Sequence, residues 1–198
     1  MKKRISEIRK NLIACAAALC VAVIPFGCTE LMAQAEEIVL NAAEEEKMTG
    51  TYTAAEGWIE DEEASTEEKT VYVQASAADA DETSTITCSY IDTNYSVLEY
   101  EQLRDMLTNN LFYSNVNAQI STSAVYTLSK DYLYILIVDD SAKEYRDIYH
   151  YVVGDYRCFS VEVREYRAEA EAAKLLEEDT PQEAGQKIAE EFTWNTSW

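Results

Sequence analysis

The feature that most constrains this chain is the run Tyr-Leu-Tyr-Ile-Leu-Ile-Val at 132–138. Side chains alternate along a strand, so Leu133, Ile135 and Ile137 take one face and Tyr134, Leu136 and Val138 the other. A strand apolar on both faces belongs inside a sheet with material packed above and below it. Asp139-Asp140-Ser141 ends the run, because short polar side chains favour turns. Residues 148–153 read as a second strand and 156–166 as a third. In the third, Phe159, Val161 and Val163 share one face while Ser160, Glu162 and Arg164 share the other. Gly154-Asp155 between them reads as a two-residue II′ turn. Together these residues predict an antiparallel meander.

Strands are also expected at 70–75, where Val71 and Val73 lie on one side, and at 84–91, where Ile86, Cys88 and Tyr90 align. Ser96 and Glu99 then form a capping box, and Tyr100, Leu103 and Leu107 follow at helical spacing. Asn109-Asn110 is expected to end that helix. Residues 118–129 alternate as a strand, with a bend or break expected near Ser121-Thr122-Ser123, and pair with the central run through Lys130-Asp131. Residues 167–178 have helical composition but are charged nearly all round. Thr180-Pro181-Gln182-Glu183 is a firmer helix start: an N-cap, a proline at the first helical position and a capping-box glutamate. Ala184, Ile188 and Phe192 fall four apart on one face, and Trp194 extends it. The fold class is α+β: a single antiparallel sheet with packed helices, including a C-terminal amphipathic helix.

The first 35 residues read as a signal peptide. A basic start (Lys2, Lys3, Arg4, Arg9, Lys10) precedes an apolar run at 12–26 and a small-x-small cleavage pattern, Ala33-Gln34-Ala35. Cys28, after Gly27, offers the rival reading of a lipid anchor. Cleavage after Ala35 takes away five basic and two acidic side chains, so the formal charge moves from −21 to −24. Such a surface repels nucleic acid and anionic lipid and leaves basic partners or cations allowed. Residues 36–69 are acidic and weakly patterned, and are expected to be a disordered spacer before a globular domain at 70–198. Outside the signal region two cysteines remain, Cys88 and Cys158. In an exported domain they are a disulfide candidate, with two separate thiols as the alternative.

Little in the sequence calls for catalysis. His150 is the only histidine, so a zinc site of several His ligands is excluded within one chain. No glycine spacing matches a phosphate loop, and no cofactor is called for. Asp139, Asp140, Asp147 and Asp155 cluster around the predicted hairpin, which keeps open a secreted hydrolase using Asp/Glu chemistry. Tyrosine is the distinctive residue: fourteen occur, twelve of them between Tyr90 and Tyr166. Tyr149, Tyr151, Tyr156 and Tyr166 are the candidates for a recognition surface on the hairpin, because tyrosine buries area and keeps a polar tip.

The order of elements, closed by Ala184-x-x-x-Ile188-x-x-x-Phe192-x-Trp194, resembles the PsbP/Mog1-like α/β/α sandwich. The signal peptide, acidic spacer and Tyr-rich domain are also similar to secreted proteins of anaerobic gut Firmicutes. The resemblance covers about 70–198 and implies a non-enzymatic binding or assembly role. The expected protein is thus an exported, extracytoplasmic, bacterial binding domain. Its alternatives are the hydrolase and a Cys28-anchored subunit of an envelope complex.

Overall fold

The computed structural model describes residues 48–77 and 82–195. The expected signal peptide, Cys28 and the acidic residues 36–47 lie outside the described residues. Strands β1 (Gly50–Thr51), β2 (Trp58–Glu60), β3 (Lys69–Gln74) and β4 (Thr85–Asp92) come first. A 3₁₀ turn, Val97–Glu99, leads into helix α1, Tyr100–Ser114. The meander follows as β5 (Gln119–Tyr126), β6 (Tyr132–Asp139), β7 (Tyr145–Val153) and β8 (Arg157–Tyr166). Helices α2 (Arg167–Leu176) and α3 (Pro181–Glu191) and a short β9 (Thr193–Trp194) complete the described chain.

Seven of these strands make one antiparallel sheet in the order β2-β3-β4-β8-β7-β6-β5. The chain leaves the interior strand β4, crosses the sheet through α1, and restarts at the far edge as β5. The meander then walks back until β8 pairs with β4, from Thr85↔Arg164 to Asp92↔Arg157. On one face, Ile86, Leu133, Ile135, Ile148, Phe159 and Val161 pack under Ala184, Ile188 and Phe192 of the α3 segment. On the other, Tyr134, Leu136, Tyr151, Val153 and Cys158 pack under Leu103 and Leu107 of α1. The double-faced apolar run at 132–138 therefore feeds two cores, and the architecture is α+β with helices on both sides of the sheet.

Both capping boxes form. Glu99 accepts from Ser96 N–H at 3.0 Å, and Glu183 accepts from Thr180 N–H at 2.9 Å. The start of α3 is also held by Glu165, fully buried on β8, whose carboxylate accepts from Gln182 N–H at 2.8 Å and from Arg146 at 2.7 Å. Gly185 lets α3 settle on the sheet, since a Cβ there would stand 2.2 Å from Val163 Cγ2. Beyond α3, Phe192 stacks on Phe159 at 4.1 Å and meets Trp194 edge-on at 4.8 Å. β1 pairs with β9 over this aromatic cluster, and Tyr90 Oη accepts from Gly50 N–H at 2.9 Å.

Several expectations are corrected. The spacer expected over 36–69 gives way to structure from Met48 onward: β2 pairs with β3, and Trp58 is buried in the core. Strands of two or three residues carry no period for a sequence to display. Helix α1 runs past Asn109-Asn110 to Ser114, ending where the Asn115 side chain donates to Leu111 O at 3.0 Å. β5 has no break at Ser121-Thr122-Ser123; its ladder to β6 is continuous. The β7–β8 turn is longer than two residues: Gly154 N–H donates to Arg157 O at 2.8 Å, and the left-handed residue is Tyr156, at φ 57°. Gly154 serves another purpose, because a Cβ there would lie 2.7 Å from the Trp194 ring.

The candidate disulfide does not form. Cys88 and Cys158 are buried free thiols. Register explains why: Cys88 lies opposite Val161 and Cys158 opposite Ile91. Three positions apart along paired strands, the two side chains leave opposite faces of the sheet and enter different cores.

Candidate binding site

Helix α1 crosses the sheet over β6 to β8 and leaves β5 beyond its edge. Seven of the eight β5 residues are exposed. The step between helix and edge strand is a groove of about 550 Å³. Arg104, Thr108 and Asn109 form its helical wall, and Thr122, Ala124, Tyr132 and Tyr134 its floor.

Aromatic rings organise this floor because strand parity and register align them. Tyr132 and Tyr134, two apart, share a face with centroids 6.5 Å apart and planes 15° from parallel. Tyr126 lies opposite Tyr132 in the ladder, and its ring stands edge-on at 6.1 Å. Tyr100, from the first turn of α1, closes on Tyr132 at 4.7 Å. Thr108 donates to Arg104 O at 2.7 Å, so its single proton is used and the Tyr134 hydroxyl donates to Thr108 Oγ1 at 2.9 Å. Arg104 is paired with Asp105 at 2.9 Å. Burial raises the Tyr132 phenol above its ordinary range, opposed by the nearby Arg104 charge. The groove thus offers the partly exposed Tyr132 ring and hydroxyls, with Tyr134 buried beneath them and its one guanidinium paired with Asp105.

A smaller concavity of about 190 Å³ occupies the part of this face that α1 leaves bare, between Thr85, Thr87, Asp147, Tyr149, Glu162 and Arg164. Arg164 Nε donates to Asp147 Oδ1 at 3.0 Å, and the guanidinium lies 4.3 Å from the Tyr145 ring centre. Burial raises the Glu162 carboxyl above the usual range, with the Asp147 charge adding to it.

The four tyrosines singled out on the hairpin do not converge. Tyr149 and Tyr151 stack at 6.2 Å and 8°, but Tyr151 is buried beneath α1. Tyr156 sits in the turn, and Tyr166 lies at the other end of β8 beside Tyr145, with centroids 5.6 Å apart. Of the tyrosines, Tyr132 and Tyr134 line the groove, and Tyr100 and Tyr126 pack on Tyr132. The signal was available in the parity of 132 and 134 and in the hairpin that sets Tyr126 opposite Tyr132.

The chain is a weak match to known proteins. Neither a protein-family model nor a curated protein matches it. Among solved structures it is similar to the solution structure of cyanobacterial PsbP (CyanoP) from Synechocystis sp. PCC 6803. The identity is 12%, the match covers 72% of this chain and 84% of that one, and the TM-score is 0.44.

The other sequence candidates are structurally engaged. Asp139 pairs with Arg167 at 2.6 Å, a hydrogen bond that holds its carboxyl below the usual range. Asp140 Oδ1 accepts from Ala142 N–H at 3.0 Å in the turn, and Asp155 Oδ1 accepts from Val97 N–H at 3.2 Å. His150 is fully buried beneath α3, with Nδ1 3.3 Å from Val161 O, and burial lowers its pKa to about 4. Among the described residues no three His, Cys, Asp or Glu side chains gather as a metal site, and no helix is long and apolar enough to cross a membrane.

Proposed function

We propose that this protein is an exported, non-catalytic binding domain whose ligand occupies the tyrosine-floored groove between α1 and β5. The observation that carries the reading is the Tyr132 ring in an open groove, held between Tyr100 and Tyr126 and edged by Thr108, Thr122 and Asn109. Aromatic faces take up the C–H faces of a flat ligand, while Thr108, Thr122 and Asn109 offer hydrogen bonds. A neutral, hydroxyl-rich segment such as a stretch of glycan fits that chemistry. The hydrolase alternative draws no support from Asp139 and Asp140: Arg167 keeps Asp139 ionised, and Asp140 shapes the turn.

Titration with a panel of neutral oligosaccharides, followed by amide and ring NMR shifts, tests the reading. Shifts confined to the groove, lost in Tyr126→Ala and Tyr132→Ala with the fold intact, are expected. Shifts elsewhere, or none across the panel, reject it. Export has its own test, the intact mass of the protein recovered from its host. A mass beginning at Glu36 gives a released domain, and a lipid-modified Cys28 gives the anchored form.

A further inference from the structure

We infer that the β5 edge is a self-association surface, on which a second copy of this chain adds its own β5 antiparallel to the first and continues the sheet across a two-fold axis. The inference does not rest on what the groove binds, although Thr122 and Ser123 belong to both surfaces.

The two edges of the sheet are built differently. An exposed edge strand invites pairing, and proteins usually blunt it with shortness, charge, proline or a bulge. β2 follows that rule: it is three residues long, includes Glu60 and runs into Asp61-Glu62-Glu63. β5 breaks it. It is eight residues long, reads Gln-Ile-Ser-Thr-Ser-Ala-Val-Tyr, carries no charge and no proline, and pairs with β6 without a bulge. Among the described residues its outer edge has no strand partner in the sheet order.

Charge selects the occupant. The chain has 27% charged residues and a net charge of −21, yet none falls between Asp105 and Lys130. That uncharged stretch comprises most of α1, the corner after it and all of β5. A second copy approaching by this edge brings an equally uncharged surface and keeps the acidic remainder of both molecules apart. The ends are also self-complementary. Phe112, Tyr113 and Val116 are exposed at the corner before β5, and Tyr126 and Leu128 are exposed at its far end. In an antiparallel pair centred on Thr122 or Ser123, the corner of one copy lies beside the far end of the other, at both ends alike. Ser121, Thr122 and Ser123 meet their counterparts at the centre, where hydroxyl pairs are favourable. The two-fold axis stands normal to the sheet, so both grooves open on the same side and flank the joint.

Sedimentation equilibrium of the purified protein over a dilution series, paired with amide hydrogen exchange, tests this. A monomer–dimer equilibrium is expected, with β5 amides gaining protection as concentration rises. Ser121→Lys with Ser123→Lys sets like charges across the joint and should weaken association by at least about ten-fold. Leu175→Lys with Leu176→Lys, on the exposed end of α2, should leave it unchanged. Two results overturn the proposal. One is a wild-type monomer whose β5 exchange is independent of concentration, which would leave the edge to an extended segment of another protein. The other is a dimer broken by the α2 pair and not by the β5 pair. The exchange arm uses the wild-type chain, so it holds even where a lysine variant fails to fold.

Discussion

At the scale of single residues, the buried groups that titrate make the sharpest statements. His150 is neutral in the native protein because burial lowers its pKa to about 4 from 6.5. Unfolding lets it bind a proton anywhere between those values, so its contribution to stability is lost as pH falls from 6.5 towards 4. The full loss is about 3 kcal/mol. Chemical denaturation at stepped pH should show that slope, and His150→Leu should flatten it. Glu162 behaves in the opposite sense. Its carboxyl is raised by burial, so the charged form costs the fold stability at neutral pH, and the cost shrinks as pH falls below the native pKa and is gone below the unfolded value of 4.5. Glu162→Gln should therefore raise Tm at neutral pH and do nothing in acid; a lower Tm at neutral pH would mean that the charge has a stabilising partner. Burial also pushes both thiols, Cys88 and Cys158, up to about 12. Neither should alkylate in the native state, and both should alkylate in denaturant without reductant. A gain of two hydrogens on reduction would contradict the free thiols.

Among the elements, α3 shows how much of a helix can be read before a structure exists, and where reading stops. Its cap, its proline and its Ala184-Ile188-Phe192 stripe are local, and all three stand as expected. What seats it is non-local. Glu165 reaches its N-terminus from β8, and Gly185 lets it approach Val163. In the sequence Glu165 is one more carboxylate in an acidic chain, and Gly185 looks like a helix-weakening residue. Their roles depend on which strand face lies under α3. Two substitutions measure this. Gly185→Ala gains at most about 1 kcal/mol in helix propensity but forces a methyl group into Val163, so a net loss of about 2 kcal/mol is expected by urea denaturation. Glu165→Gln leaves the Arg146 charge without its partner and weakens the cap, for a loss of about 3 kcal/mol. A stabilised Gly185→Ala protein would show that α3 has room to move outward. The same contrast explains the groove: β5 and β6 were legible as a hairpin, but the step beside them exists only because α1 crosses to one side of β5.

For the molecule as a whole, charge is the property that sequence states outright and structure distributes. Acidic residues number 37 against 16 basic ones. The exposed pairs Lys174–Glu171 and Lys187–Asp179 return little in water. The Arg146–Glu165 pair, its carboxylate buried and its guanidinium partly so, is better shielded from salt than these. Self-repulsion among the remaining carboxylates therefore opposes compaction, and it is the part of the energy that salt reaches. Raising ionic strength shortens the screening length from about 30 Å in dilute buffer to about 10 Å near physiological salt. Tm should rise by several degrees over that interval, by differential scanning calorimetry at fixed neutral pH and low protein concentration. If β5 joins two copies, the same salt relieves repulsion between their acidic surfaces, and the dimer should tighten in parallel. A Tm that falls with salt would mean that the surface ion pairs outweigh the repulsion. The net charge would then be balanced locally, and it would no longer give a reason for the uncharged run between Asp105 and Lys130 to face a second copy.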